Sequence, residues 1–394
     1  MSSGAMASVA PQSRVQMAPK GYKCDKAVGA AYFMTNEPTG NYLVSAAIES
    51  DAKLTLYEAS YTGGVGAHGL PAPPGLDALF SQGSVGVSTS RNYVANVNAG
   101  SNTVSVFAID RSNPASLSLI GKPVSSNGEF PNSLVINNDG SRVCVVNGGK
   151  VNGVSCYTFD ARKGLTPLKN TVRSLKLNQT TPATGPPNTP SQIIFSPDET
   201  QLIVSVKSAY LAIWDIAKDG SLSTDFKTVA GGVLPFSLIF KPGTNLLVAS
   251  DPGIGYDIFD LTTESRAKAI QGPIPGQRAV CWSTYSTQSG NFYMIDVGSS
   301  TFTEVHVPSL LNSTIVKQYN LGTDGPIDTA VAKIGRNDFM YVLAANATGL
   351  TVVSVNGPGK AQVIQRVDIA GPAKAAKLPL HNTNLQGMGT YLRD

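Results

Sequence analysis

The sequence predicts an all-β fold: one seven-bladed β-propeller with four-stranded antiparallel blades. Three observations lead there. The chain repeats itself imperfectly seven times, each repeat alternates apolar and polar residues at period two, and turn residues recur every 8–12 positions or so. Stacked units of this kind share one continuous fold, so the length does not translate into two or three separate domains.

Each unit reads as an apolar strand after a Pro or Gly loop, a turn, a second apolar strand, a Gly/Asn turn, a third strand often ending in Asp, and a weaker fourth strand. The second unit, SVGVSTSRNYVANVNAGSNTVSVFAID (84–110), shows the pattern, and NSLVINNDGSRVCVVNGGKVNGVSCYTFD (132–160) repeats it. The fourth and fifth are SQIIFSPDETQLIVSVKSAYLAIWDI (191–216) and SLIFKPGTNLLVASDPGIGYDIFD (237–260). The third-strand ends Asp110, Asp160, Asp215 and Asp260 follow one another at 50, 55 and 45 residues. CWSTYSTQSGNFYMIDVGSSTFTEVHV and AVAKIGRNDFMYVLAANATGLTVVSV keep the step, and the first unit begins at AAYFMTNEPTGNYLV. The seven units span residues 27 to about 371. No linker-like stretch separates two units, which argues against an array of β-sandwiches. Leu177 to Pro190 comes closest and reads as a surface loop.

The expected organisation is a flexible segment over residues 1–21 and one propeller over 22–394. The tail from about residue 372 has no strand pattern and is expected to cross one face or help close the ring. Met1 to Ala7 are small and featureless, as for a stretch standing in place of a removed leader.

Charged residues make up only 14% of the chain, well under the roughly 25% of an average domain. That turn-rich, low-charge composition suits a secreted protein. The 30 Lys and Arg are scattered, without the basic stripe a nucleic-acid site requires. No apolar run reaches the ~18 residues of a membrane span, so neither nucleic acid nor membrane insertion is expected. A monomer or weak homo-oligomer is expected. Sequons stand at Asn178, Asn312 and Asn346. Cys144 and Cys156 lie in two strands joined by a Gly-rich turn centred on Lys150, so they can pair across a hairpin; two buried thiols are the alternative. Cys24 and Cys281 would be the leftover pair.

The segments YFMTNEPTGNYLV, LFSQGS, VNAGSNTVSVF, GEFPNS, VVNGGKVNGVSCY and LNQTTPATGP resemble the lactonase-like seven-bladed propellers, which include bacterial phosphogluconolactonases and fungal carboxymuconate cyclases. The specific likeness is to fungal secreted carboxymuconate cyclase-like proteins and covers nearly the whole chain. Fungal hetero-Diels–Alderases of tropolone–sesquiterpenoid biosynthesis are similar in size and overall pattern. The bacterial lactonases carry a Pro-His step entering the innermost strand of several blades. Here the corresponding steps are Pro131-Asn132, Pro190-Ser191 and Pro235-Phe236. The absence of these histidines weakens a hydrolytic reading.

Ligands of a propeller bind where inner strands and their loops converge. The loops preceding each first strand and the turns between second and third strands are expected to share one face. Their amides Gln82, Asn98, Asn147 and Gln192, with Phe130, Phe236, Tyr256 and Trp282 and the acids Asp251 and Asp328, suit a neutral or weakly acidic organic ligand. The alternative for the amides is turn stabilisation, and for the aromatics a place in the core. Arg278 is the expected charged donor, or else half of an ion pair with Asp251 or Asp328. Glu129, His68 and His381 are the candidate acids or bases; His68 sits in the Gly-rich segment GGVGAHGLPAPPG, a possible lid. His306 is mid-strand. No metal cluster, Ser-His-Asp trio or nucleotide loop is visible, and no cofactor is expected. The function expected from these residues and the resemblance is a secreted, cofactor-independent cyclase of fungal secondary metabolism, forming a ring by cycloaddition or lactonisation. The rival is a non-catalytic extracellular glycoprotein that uses the propeller as a binding platform.

Overall fold

The structure, a computed structural model, describes residues 12–70, 75–261, 269–309 and 312–393; Met1–Ala7 lies outside them. Period-two alternation buries one strand face against each neighbouring blade, and the chain forms seven antiparallel sheets in a ring. Blades 3 to 7 each use four consecutive strands, ordered outward from the axis. Their innermost strands are Pro131–Ile136, Pro190–Phe195, Leu238–Phe240, Val280–Ser286 and Pro326–Ile334; blade 2 begins with Val85–Ser88. The expected third-strand ends fall where the repeat places them. Gly153–Asp160, Tyr210–Asp215 and Gly255–Asp260 are third strands, and Asp110 directly follows Thr103–Ile109.

Blade 1 is composite: the tail helps close the ring, one of the two places expected for it, but does so with a strand where the sequence shows no strand pattern. Gln386–Leu392 in the tail is a strand. It pairs antiparallel with Gly29–Met34, Ala30 opposite Tyr391, and forms the axial edge of the blade. N-terminal and C-terminal strands therefore close the ring together. Gly29 marks the tightness of the seam, since a Cβ there would lie 2.2 Å from the Tyr391 carbonyl oxygen. Within the segment expected to be flexible, Arg14–Gln16 add a fifth, outer strand against Leu54–Tyr61.

The inner strands converge on the axis. Serines there join neighbouring blades. The Ser133 hydroxyl donates to the Gln82 carbonyl at 2.7 Å, Ser81 to the Asn132 carbonyl at 2.7 Å, and the Ser237 and Ser283 hydroxyls lie 2.5 Å apart. Such bonds satisfy groups no water can reach. Between blades the large side chains are fully covered: Trp214, Tyr157, Tyr93 and Tyr341 are at most 1% exposed.

Cys144 and Cys156 face each other in register and are disulfide-bonded, their Cα atoms 4.1 Å apart. Unreduced peptide mapping is expected to yield one cross-linked species containing both; two free thiols there would contradict the pairing. Cys24 and Cys281 are both free. Cys24 packs in the core between blades 1 and 2 and Cys281 belongs to the axial strand of blade 6, so the leftover pair does not form.

Candidate functional site

Two long connections rise from one end of the ring. One runs from Tyr61 to Val85, the other from Pro167 to Pro190. They clasp each other: the Leu70 N–H donates to the Ala183 carbonyl at 2.8 Å and the Gly185 N–H to the Leu70 carbonyl at 2.9 Å. Beneath the clasp is a cavity of about 690 Å³. Loops entering inner strands supply Phe80, Leu234 and Phe236, and the inner strand of blade 6 supplies Trp282; second-to-third-strand turns supply Lys207, Pro252, Val297 and Gly298. The two sets of connections do share this face.

The walls are mainly apolar. Phe236 and Trp282 meet edge to face with centroids 5.1 Å apart, the arrangement favoured by ring quadrupoles. Leu76 and Pro186–Pro187 continue the apolar lining. His68 belongs to it too, and its ring nitrogens lie 2.7 Å from the Gly69 carbonyl and 2.9 Å from the Gly75 carbonyl. That holds the ring within its own loop.

The lining also carries Lys207, Asp77 and Cys281. Lys207 follows the strand Gln201–Val206, at a turn where other blades place Asn98, Asn147, Asp251 and Asp296. It is 1% exposed. Its Nζ donates to the Phe80 carbonyl at 2.5 Å and the Pro190 carbonyl at 3.3 Å, and lies 4.8 Å above the Phe236 ring, a cation–π geometry. Phe80 has φ +55°, a left-handed conformation uncommon for a non-glycine residue. Burial pushes the Lys207 ammonium down and the Asp77 carboxyl up, each shift partly opposed by the other's charge. Burial likewise pushes the Cys281 thiol well up, which leaves it a neutral side chain. A buried amine and a half-buried acid that feel each other's charge in a largely apolar cavity can donate or accept a proton and can polarise a ligand oxygen.

Of the residues singled out in the sequence, His68, Phe236 and Trp282 line this cavity. Arg278 stands at its edge. Its side chain is exposed and makes no hydrogen bond or ion pair among the described residues, so neither Asp251 nor Asp328 is its partner; the adjoining Ala279 is in the lining. Gln82 spans the axis below, exchanging hydrogen bonds with the Ser283 backbone at 3.1 and 2.9 Å. Beside it the Trp282 indole donates to the Ser81 carbonyl at 3.1 Å.

The other candidates do not line the cavity, for identifiable reasons. Asn98 and Asn147 satisfy buried groups at the ends of their strands, Asn98 with Asn41, Thr62 and Ser105, and Asn147 with the Ser126 carbonyl. Gln192 accepts the Leu238 N–H at 2.6 Å and so ties blade 4 to blade 5. Phe130 is in the core between blades 2 and 3. Tyr256 packs between blades 5 and 6 and bonds Ser313 at 2.8 Å. Glu129 hydrogen-bonds Thr181. His381 pairs with buried Glu37 at 2.9 Å, fastening the tail to blade 1. Asp328 accepts the Gly387 N–H at 2.7 Å at the ring seam, where burial pushes its carboxyl up to about 8. Asp251 accepts the N–H groups of Val233, Leu234 and Gly253.

Asp251 also has a neighbour absent from the sequence reading. Burial, aided by the Asp251 charge, pushes the Asp257 carboxyl up to about 9. A carboxyl raised on folding holds its proton more tightly in the native chain, so stability falls as pH rises from the unfolded carboxylate range, about 4, towards the folded value. Asp257→Asn removes this titration. Urea midpoints at pH 5 and pH 9 are expected to show the variant losing less stability, by on the order of a few kcal/mol. Identical losses in both proteins would refute it.

Lys207 and Asp77 escaped the sequence reading. The turn SVKSAYL lacks the Gly/Asn signature of its counterparts, and Asp77 lies just beyond the Gly-rich segment GGVGAHGLPAPPG read as a lid. One signal was present: a lysine directly after the buried apolar run LIVSV.

Residues 68–181 match the family model described as "Lactonase, 7-bladed beta-propeller". That stretch includes His68, Asp77 and Phe80 but not Lys207 or Cys281. No curated protein matches the chain in sequence. Among solved structures, the periplasmic gluconolactonase of Pseudomonas aeruginosa is 15% identical with a TM-score of 0.66, over 93% of this chain and 99% of that one. A protein of unknown function from Desulfotomaculum acetoxidans is 14% identical with a TM-score of 0.63, over 92% and 99%. At such identities the likeness is one of fold: the chain is a seven-bladed β-propeller similar to the lactonase-type propellers, with the family-model match confined to residues 68–181.

Proposed function

We propose that the cavity under the loop clasp is the active site of a cofactor-independent enzyme that closes a ring in a small organic molecule, by cycloaddition or by lactonising cyclisation. The observation that carries this reading is the buried Lys207 amine and the half-buried Asp77 carboxyl lining one largely apolar cavity of about 690 Å³. Walls of Phe80, Phe236 and Trp282 would hold a folded conformer of the substrate, which removes much of the entropic part of the barrier. Lys207 would polarise a carbonyl oxygen through charge-assisted hydrogen bonding. Asp77 would move the proton that a lactonisation requires; Arg278 would steer a weakly acidic group at the rim. The family-model match supports a hydrolytic lactonase as the second reading.

Incubation with a metabolite extract separates these readings by product mass. Intramolecular cycloaddition, and lactonisation by addition of a carboxyl group across a double bond, conserve mass, whereas hydrolysis adds one water. A consumed metabolite whose product has the same mass supports the cyclase. A product heavier by one water supports the lactonase. Retention of a metabolite without any conversion supports a binding platform and overturns both.

Passage through the secretory pathway is part of the proposal, supported by the Cys144–Cys156 bond, which oxidising compartments favour. Asn178 is exposed in a Thr/Pro-rich loop and is the sequon expected to carry a glycan in the native host. Asn346 is also exposed, but its side-chain amide is engaged by Asp324 and Asn382. An unchanged mass after enzymatic deglycosylation of native material would reject the Asn178 assignment.

A further inference from the structure

We propose that Lys207 condenses with an aldehyde or ketone carbonyl of the bound molecule to form an imine. The inference deepens the active-site reading above and rests on it. Its basis is how the amine is held. Two of the hydrogen-bonding directions around Nζ are filled by backbone carbonyls, Phe80 at 2.5 Å and Pro190 at 3.3 Å. Both are acceptors that a neutral amine satisfies with its two N–H bonds, leaving the lone pair unengaged. The Phe236 face below fixes the side chain from another side. Such an amine is positioned, and the apolar lining gives its charged form little solvation. A lysine whose task was only to neutralise Asp77 would be expected to form a direct salt bridge with it; no such bond of 4.0 Å or less occurs in the described structure, although the two interact electrostatically.

Asp77 is the acid and base the condensation needs. The amine lone pair attacks the carbonyl carbon, and the carbonyl π pair moves to oxygen, which takes the Asp77 proton. Asp77 then removes one proton from the new ammonium nitrogen, giving a neutral carbinolamine. It returns that proton to the hydroxyl, which leaves as water while the nitrogen pair forms the C=N bond. One carbonyl, the amine and the acid become a protonated imine, an Asp77 carboxylate and one water, with no oxidant or reductant. The Asp77 carboxylate left behind offsets part of the charge of the cation so formed. In an α,β-unsaturated carbonyl the iminium draws electron density from the adjoining double bond, which favours the bond-forming step of ring closure. Cys281 borders the amine as a neutral thiol and takes no covalent part.

The test uses cinnamaldehyde, an unsaturated aldehyde on an apolar skeleton, with sodium cyanoborohydride to reduce any imine, followed by peptide mapping. Equilibrium dialysis without the reductant measures binding of the same probe. The expected result is a secondary-amine adduct on Lys207 at least tenfold above any other lysine, absent from Lys207→Met and Lys207→Arg and diminished in Asp77→Asn. Lys207→Arg keeps the cation and carries the comparison if Lys207→Met fails to fold. Retention of the probe by dialysis without an adduct at Lys207 would overturn the imine while leaving the cavity reading intact. A probe neither retained nor coupled would count against both.

Discussion

Ending the chain at Leu385 is expected to leave no cooperatively folded propeller. The lost segment contains the axial strand of blade 1, Gln386–Leu392. That strand contacts the inner strands of blades 7 and 2 as well as Gly29–Met34. Its removal uncovers an edge whose residues are all buried and deletes Tyr391, 2% exposed, and Met388, 7% exposed. Each large apolar side chain returned to water costs about 1.5–3 kcal/mol, and a strand's worth of buried ladder bonds goes with them. The sum approaches the 5–15 kcal/mol or so that separates a typical native state from unfolding. Circular dichroism and urea titration should show a broad transition or none. Gly29→Ala grades the same test, because its Cβ would meet the Tyr391 carbonyl oxygen; overpacking of this kind costs about 1–3 kcal/mol. A truncated chain with the wild-type midpoint would mean that the seam does not hold the ring.

Turnover on any substrate identified by the metabolite screen is expected to fall about 10²–10³-fold in Lys207→Met, the usual loss for one transition-state donor. Asp77→Asn is expected to reduce it comparably where a proton must move, and less for a cycloaddition. Stability must be separated from chemistry here. Lys207 is 1% exposed and interacts with the Asp77 charge. Removing either group leaves the other without the opposite charge that partly offsets its burial, a cost below the roughly 3–5 kcal/mol of breaking a direct buried salt bridge. The double variant Lys207→Met/Asp77→Asn carries neither charge and is expected to regain much of that stability without regaining activity. The urea midpoints of the four proteins form a double-mutant cycle. If the double variant recovers both stability and turnover, the pair supports the fold and has no part in the reaction.

The fold was legible because its determinants are local. Alternation within SVGVSTSRNYVANV and the recurrence of Asp110, Asp160, Asp215 and Asp260 each need only a short window. The closing strand was not. In QGMGTYL the axis demands glycines, Gly389 among them, where a Cβ would lie 2.8 Å from a Val87 methyl, and glycines erase the alternation that marks a strand. Phe236 and Trp282 were legible as residues entering inner strands. Lys207 and Asp77 were not, because they stand 130 positions apart and meet only when the ring closes. Asn98 and Asn147 looked like ligand amides because the same side chain suits a turn. Their burial, not their type, decides between the two roles.

The hydrogen bonds that cross the axis, Gln82 to Ser283 and Trp282 to Ser81, tie blade 2 to blade 6 beneath the cavity. On the active-site reading proposed above, substrate and product would occupy the same cavity and so exclude one another. Kinetically, that places release in series with every cycle, and added product should inhibit competitively.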